Sequence, residues 1–255
     1  MLARSVEVPL AQRRYKNPPI VEALCEFRFT QPSAWDTAAP DRILDRLKQT
    51  YPVRGRAKRT QVQVTLGSGK PDLSTEESEI HQFCSADRTA LVQVGEAFLA
   101  IHRLSPYTSW HDFGSSIQQA LQAYIDAAHP TMARQPHLRY INRMQFEART
   151  IPIEDYFQFY AHLGPDLPQE HGPFIVGVQI AFEQSRDLLK LTMASAKPSK
   201  PAAVAVQLDI DYALVASPGL ALDQVLNWTE VAHQRLEDVF EGCVTEKLRQ
   251  QWEEE

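Results

Sequence analysis

The sequence lacks long apolar runs, and this absence excludes several classes of protein. None of its hydrophobic stretches approaches the ~20 residues that a membrane-spanning helix requires. Residues 1–16 carry charges but lack the apolar centre of a secretory signal. With 44% hydrophobic and 23% charged residues, the composition is that of an ordinary globular protein, which we expect in the cytoplasm and without a membrane partner.

Cysteine and glycine motifs are also scarce. Cys25, Cys84 and Cys243 lie far apart and are odd in number, which predicts reduced thiols. The chain has no CxxC pair, no glycine-rich phosphate loop and no GxSxG sequence, so zinc, nucleotide binding and serine hydrolysis lack their usual signs. We therefore expect no cofactor and no metal, and the sequence favours a non-catalytic role without excluding an enzyme.

The charge is unevenly distributed along the chain, whose formal net charge is -6. Residues 1–130 carry 15 Lys+Arg against 14 Asp+Glu, whereas residues 131–255 carry 11 against 18. The negative total argues against nucleic acid as the main partner. The basic segment 54–59, interpreted as a loop, is the exception, because its cations could hold a phosphate backbone; these are Arg54, Arg56, Lys58 and Arg59.

The order of predicted elements indicates an α+β protein built from two similar halves. After an N-terminal extension (1–16), residues 17–130 and 131–255 each read as a strand, a short helix, several antiparallel strands and a long helix. The short helices are predicted at 41–51 and 153–163, the long ones at 109–128 and 221–252, and a polar loop at 67–79. This order resembles the duplicated helix-on-sheet architecture of the TATA-binding protein, a likeness that implies no shared function.

The first strands of the two halves carry complementary charges. Glu22 and Glu26 lie on the polar face of the first strand, and Arg139 and Arg143 have the same spacing on its counterpart. Side by side in an antiparallel sheet, these strands would pair acids with bases, or the four charges would bind a ligand or a partner. A glycosidase dyad is excluded, because residues four apart on one strand are separated by ~13 Å.

Several other polar residues of the predicted strands and of the last helix have both a structural and a chemical interpretation. Asn142 falls on an otherwise apolar strand face, where a buried amide needs partners. Asp209 and Asp211 share one strand face and could hold a cation, although pairing with a basic residue of a neighbouring strand is favoured. His233 lies near the apolar stripe of the last helix, where a hydrogen-bonded core residue is more common than a catalytic one.

Three motifs give the chain a family resemblance. They are NPPIVEALCEFRF at 17–29, RYIN at 139–142 with Met144 following, and His233, Phe240 and Trp252 in the C-terminal region. The pattern resembles a sporadically distributed prokaryotic family of unknown function, with an N-terminal NPPIxEAxxEFRF motif and a central RYxN motif. The resemblance implies a mobile-element or defence context and no particular reaction.

These observations leave three hypotheses for function. The first is a protein-interaction module that uses an exposed sheet face or the acidic second half. The second is a small-molecule sensor whose ligand lies in a cleft between the halves, near Glu22, Glu26, Arg139 and Arg143. The third is nucleic-acid binding through segment 54–59, which the sequence makes the weakest of the three.

Overall fold

A computed structural model describes residues 13–65, 72–169 and 172–252 of the 255-residue chain. The described part is α+β, with a large antiparallel sheet and a few helices. Its strands are β1 (Ile20–Arg28), β2 (Val53–Thr65), β3 (Asp72–Cys84), β4 (Ala90–Gly95), β5 (Phe98–Leu104), β6 (Met132–Ala133), β7 (His137–Phe146), β8 (Ile175–Phe182), β9 (Asp187–Ala196), β10 (Val204–Leu214) and β11 (Leu220–Ala221). Its helices are α1 (Ala39–Leu47), α2 (Trp110–Ala128), α3 (Val225–Cys243) and α4 (Glu246–Arg249).

Nine strands form one sheet in the order β2-β3-β4-β5-β1-β7-β10-β9-β8. The prediction that the two first strands lie side by side is confirmed, since β1 and β7 pair antiparallel at the centre. Leu24 is opposite Arg139 and Glu26 is opposite His137, and the register shifts between Ile20 and Glu22. The short strands β6 and β11 form a separate pair.

The two-residue periodicity of the central strands decides which sheet face is buried. On β1, Ala23, Cys25 and Phe27 are fully buried, as their alternation predicts. The even-numbered residues of β7 from Leu138 to Phe146 are buried in the same way. Helices α2 and α3 pack over this face, α2 against β5 and α3 against β7 and β10.

Helix α2 agrees closely with the sequence prediction. Its N-cap is Ser109, whose hydroxyl accepts a hydrogen bond from the Asp112 backbone N–H at 3.1 Å. It ends where His129 adopts a left-handed conformation. None of the helices within the described ranges is both long and apolar enough to cross a membrane.

Several predicted elements differ from the structure. Segment 54–59 is part of strand β2, and residues 72–79 of the predicted polar loop belong to its partner β3, while 66–71 lie outside the described residues. The predicted helix 41–51 starts earlier and ends at Leu47. The predicted helix 153–163 is one short 3-10 turn at Ile153–Asp155.

The predicted C-terminal helix 221–252 is interrupted. Helix α3 ends at Cys243 because Val244 is extended, and the Thr245 hydroxyl then caps the short helix α4. Val244 also forms an isolated bridge with Phe157. The apolar stripe of the sequence continues across this break because both segments pack on the same core.

Gly219 allows a close approach between the chain after β10 and strand β6. Its φ is +117°, and a methyl group there would lie 2.4 Å from the Ala133 carbonyl oxygen. We expect Gly219→Ala to lower the free energy of unfolding by roughly 2 kcal/mol or more, measured by urea denaturation.

Gly242 provides the matched control for this substitution. It lies within α3, and a methyl group added there meets no atom within 4 Å. Gly242→Ala should therefore leave stability unchanged or raise it by about 0.5–1 kcal/mol. Equal losses in the two variants would contradict the close contact at Gly219.

Candidate functional site

A cleft of about 980 Å³ lies on the helix side of the sheet, between α2 and α3. Its floor comes from β7, and residues 13–20 close one end next to the start of β1. The volume is within the range of small-molecule sites, about 300–1,000 Å³. Residues from four parts of the chain that are distant in sequence therefore share this space.

Tyr140 and Asn142 form the floor of the cleft. Both are on the buried face of β7, where a strand would ordinarily carry apolar side chains. The Asn142 amide donates a hydrogen bond to the Leu208 carbonyl of β10 at 3.2 Å. The predicted need of this buried amide for a partner is therefore met by backbone, and the residue still lines the cleft.

His233 connects the floor to the α3 wall. Its Nδ1 lies 2.9 Å from the Tyr140 hydroxyl, and its Nε2 lies 3.2 Å from a carboxylate oxygen of Glu237. The contact with the Tyr140 hydroxyl is a hydrogen bond, which agrees with the predicted hydrogen-bonded His233. The Glu237 carboxylate lies within ion-pair distance of the other ring nitrogen.

Burial keeps the tyrosines of the cleft protonated. Desolvation raises the pKa of Tyr140 well above its ordinary value, and the nearby Tyr107 hydroxyl adds to the effect. Desolvation likewise raises the pKa of Tyr107, whose buried hydroxyl makes no hydrogen bond of good geometry. Both hydroxyls therefore stay protonated at neutral pH.

Trp110, the first residue of α2, lies over the His233 ring. The two rings stack with centroids 4.1 Å apart and an angle of 13° between their planes. The Trp110 indole N–H donates to Glu230 of α3 at 2.8 Å. Together these contacts fix the mouth of the cleft, because they join the N-terminus of α2 to two successive turns of α3.

The N-terminal segment is held against the C-terminal end of the chain. The Tyr15 hydroxyl donates to Glu241 at 2.8 Å, and Arg249 donates to the same carboxylate at 2.8 Å. Trp252 packs edge-on against Tyr15, with centroids 5.3 Å apart, and its carbonyl accepts from the Asn17 N–H. This end of the cleft is therefore closed by contacts between residues more than 220 positions apart.

The opposite side of the central sheet carries a second set of charges, here called the polar face. Its residues are Glu22, Glu26, His102, His137, Arg139, Asp209 and Asp211. The glutamates and Arg139 are thus separated from the cleft by the sheet itself. The hypothesis that they lie beside a cleft between the halves is wrong in this respect.

The hydrogen-bonding partners on the polar face also differ from the predicted ones. Glu22 lies 2.8 Å from His102, whose hydrogen bond lowers the pKa of this carboxyl against the effect of burial. Arg139 donates to Asp209 at 2.7 Å, with a second, shorter contact between the same groups. The acids of β1 thus meet histidines, and the arginine of β7 meets the opposite neighbour, β10. The favoured pairing of Asp209 with a basic residue is confirmed.

His137 lies between two carboxylates on this face. Its ring nitrogens are 3.1 Å from Asp211 and 3.5 Å from Glu26. Burial opposes the charged imidazole, but these two acids outweigh it and raise the pKa of His137 to about 9. The imidazolium therefore supplies the positive charge that the sequence prediction assigned to arginine.

Arg143 and the basic segment have partners of their own. Arg143 donates to the Lys197 carbonyl. On β2, Arg54 pairs with Asp41 and Arg56 pairs with Glu79 of β3 at 3.0 Å. Lys58 and Arg59 continue this strand opposite Glu79 and Ser78. A strand paired with an acidic neighbour offers a phosphate backbone less free charge than the predicted loop.

Sequence reasoning missed most residues of the cleft. Tyr15, Trp110 and Glu237 have no shared spacing in the sequence, and only the fold brings them together. Asn142 and His233 were identified as unusual polar residues on apolar faces, and that signal is the one that leads to the cleft. Within the described ranges, no group of three or more His, Cys, Asp or Glu side chains could hold a metal ion.

Comparison with known proteins does not assign the chain to a family. No protein-family model matches it, and no curated protein matches it either.

The raised pKa of His137 makes stability depend on pH. The folded-state pKa of about 9 exceeds the ordinary 6.5, so the stabilisation is complete below pH 6.5 and is lost as the pH rises through 9. At its maximum it amounts to about 3 kcal/mol. His137→Gln should therefore reduce the free energy of unfolding most below pH 6.5, measured by urea denaturation between pH 5 and 10.

The exposed His162 is a suitable control for this series. His162→Gln should follow the wild-type pH profile throughout. A difference between wild type and His137→Gln that is as large at pH 10 as at pH 6 would contradict the ion pairs of His137.

Arg139 and Asp209 should be energetically coupled. Their side chains are half-buried and joined by two hydrogen bonds, which predicts a coupling free energy of about 1–3 kcal/mol in a double-mutant cycle. The cycle uses Arg139→Ala, Asp209→Ala and the double variant. The exposed pair Glu147 and Lys200 should show a much smaller coupling. Additive effects of the Arg139 and Asp209 substitutions would contradict the pairing.

Proposed function

We propose that the protein binds a small polar molecule in the cleft between α2 and α3. The observation that carries this proposal is the line of adjacent polar side chains Tyr140, His233 and Glu237 along the floor and wall of a cleft of about 980 Å³. Ligand sites of this kind combine aromatic surfaces with a few convergent polar groups. Trp110 and Tyr107 supply aromatic surface, and Tyr140 and His233 supply the polar groups.

The direction of the hydrogen bonds suggests what the ligand offers. The α3 wall presents two carboxylates, Glu230, which accepts from the Trp110 indole N–H, and Glu237, which lies 3.2 Å from His233. Such carboxylates have lone pairs left for a further donor. A ligand with an amino or similar donor group, attached to a flat apolar part, matches both the acids and the aromatic rings.

The family resemblance supports the same location. Residues from all three motifs line the cleft: Pro18 and Ile20 from the first, Tyr140 and Asn142 from the second, and His233 and Phe240 from the third. On this proposal the motifs describe one ligand site. Membership of that family, its mobile-element or defence context and the cytoplasmic location stay predictions.

We further propose that the two halves are structural duplicates in the manner of the TATA-binding protein. The support is the similar element order, with a first strand at the sheet centre, a meander of strands running from the sheet edge back to the centre, and a helix packed on the sheet. In this arrangement the cleft is the space between the last helices of the two halves, α2 and α3.

The ligand hypothesis is favoured over the others. The protein-interaction hypothesis gains no specific observation at the polar face, where the seven charged or ionisable groups mainly bond to one another. The nucleic-acid hypothesis is weakened, because the ion pairs of Arg54 and Arg56 neutralise part of the positive charge that would bind phosphate.

A thermal-shift screen of small amines and aromatic amines tests the proposal. A compound that binds only the folded state at 100 times its Kd adds about 2.7 kcal/mol of stability. We expect at least one compound to raise Tm of the wild type and to lose this effect with His233→Gln, which removes the imidazole from the cleft.

The matched control is His102→Gln, the same substitution on the polar face. It should preserve the ligand-dependent rise in Tm. An equal rise in both variants, or loss of the rise only with His102→Gln, would contradict binding in the cleft.

A further inference from the structure

Among the strands that the structure describes, β8 leaves one edge of the sheet unpaired. It is the last strand of the sheet, paired on one side with β9. Its sequence, IVGVQIAF, contains no charge and no proline. Natural edge strands usually carry such residues, since a free apolar edge pairs readily with another strand.

The other edge of the same sheet is protected in the ordinary way. Strand β2 carries the cations Arg54, Arg56 and Lys58 along its length. Like charges opposite one another would oppose the pairing of two such strands. The contrast indicates that β8 is kept free of charge because something covers it.

The side chains of β8 extend the buried face of the sheet beyond its helices. Val178 and Ile180 are opposite Leu191 and Leu189 of β9, which are buried, so these residues point to the helix side. Yet Val178 is 44% exposed and Ile180 is 37% exposed, and on the other face Ile175 is 76% exposed. Apolar surface therefore continues to the sheet edge on both faces.

The backbone of β8 is also ready to pair. The Ser195 N–H donates to the Phe174 carbonyl, which shows that even-numbered residues bond to β9. Because the bonding direction alternates along a strand, the N–H and C=O groups of Ile175, Gly177, Gln179 and Ala181 point to the free edge.

We propose that β8 pairs antiparallel with β8 of a second copy of this chain, which joins the two sheets into one. The two-fold axis passes midway between the Gln179 residues of the two copies. Val178 of one copy then lies opposite Ile180 of the other, and Val176 lies opposite Phe182. In this register the helix-side faces of both copies lie on the same side of the joined sheet. The N–H and C=O groups of Gly177, Gln179 and Ala181 that point away from β9 form the hydrogen bonds between the copies.

A second copy fits this edge better than the other strand partners that the sheet offers. An uncharged strand opposes its own copy without repulsion, and the two-fold arrangement closes after two chains. Pairing of β8 with β2 of another molecule would place cations beside apolar side chains and would extend without closing. The inference is independent of the ligand proposed for the cleft.

The first test compares two identical substitutions at exposed valines. Wild-type protein should have twice the chain mass by light scattering after size-exclusion chromatography. Val178→Lys places a charge opposite Ile180 of the second copy, so the dimer should dissociate at least 100-fold more readily. Val215→Lys, at a residue 55% exposed outside β8, should remain dimeric.

Gln179→Pro gives a second, independent variant. Proline removes the N–H that points away from β9, so the chain should keep its own fold and its Tm to within a few degrees. The same change removes the hydrogen bonds at the axis, so this variant should be monomeric. A monomeric wild type would overturn the proposal, as would a dimer that persists in both Val178→Lys and Gln179→Pro.

Discussion

The antiparallel pairing of β1 with β7 is the constraint on which the rest of the structure depends. Strand β1 pairs with β5 on one side and β7 pairs with β10 on the other, so their own pairing at the centre joins nine strands into one sheet. The same pairing determines which side chains of the two strands point to each face of the sheet. Cys25 and Tyr140 point towards the helices, while Glu26 and Arg139 point away from them. Helices α2 and α3 pack on either side of the line along which β1 and β7 pair. This central part of the sheet therefore forms the floor of the cleft.

The two faces hold polar groups for different reasons. On the polar face, each acid of the centre has a basic or imidazole partner, and the network ties β5, β1, β7 and β10 together. In the cleft, Tyr140, Asn142 and His233 interrupt what is otherwise an apolar face. Burying such groups costs stability that apolar side chains would not lose. Their concentration around an accessible cavity is the observation on which the proposed ligand site rests.

The elements that have strong local signals were predicted correctly from the sequence. The predictions failed for segments whose secondary structure depends on contacts with residues far away in the chain. The alternation in β1 and β7 and the N-cap of α2 are local, and the structure has them as predicted. The first part of strand β3, residues 72–79, was interpreted as a loop because its acidic residues match no apolar pattern. It forms a strand because β2 lies opposite, with Arg56 bonded to Glu79. The end of α3 at Cys243 was missed for the same reason, because the bridge between Val244 and Phe157 joins residues that are far apart in the sequence.

The candidate site was predictable only in fragments. Asn142 and His233 are unusual residues for their faces, so each could be identified alone. Trp110 and Tyr140 could not be assigned as partners of His233, because they belong to other elements. Glu237 follows His233 by four residues on the same helix, a spacing that the sequence does show. The charge pairing failed for a related reason. The equal spacing of Glu22 and Glu26 on one strand and of Arg139 and Arg143 on the other gives no information on the neighbouring strands β5 and β10. These strands supply partners of Glu22 and Arg139.

Hydrogen exchange measured along the chain, with and without small molecules extracted from the native cells, tests the central claim most directly. Binding in the cleft predicts slower exchange at once in residues 13–20, in the first turns of α2 and in the middle of α3, because these segments line the same space. Slower exchange confined to the strands whose side chains form the polar face, with the cleft segments unchanged, would contradict it.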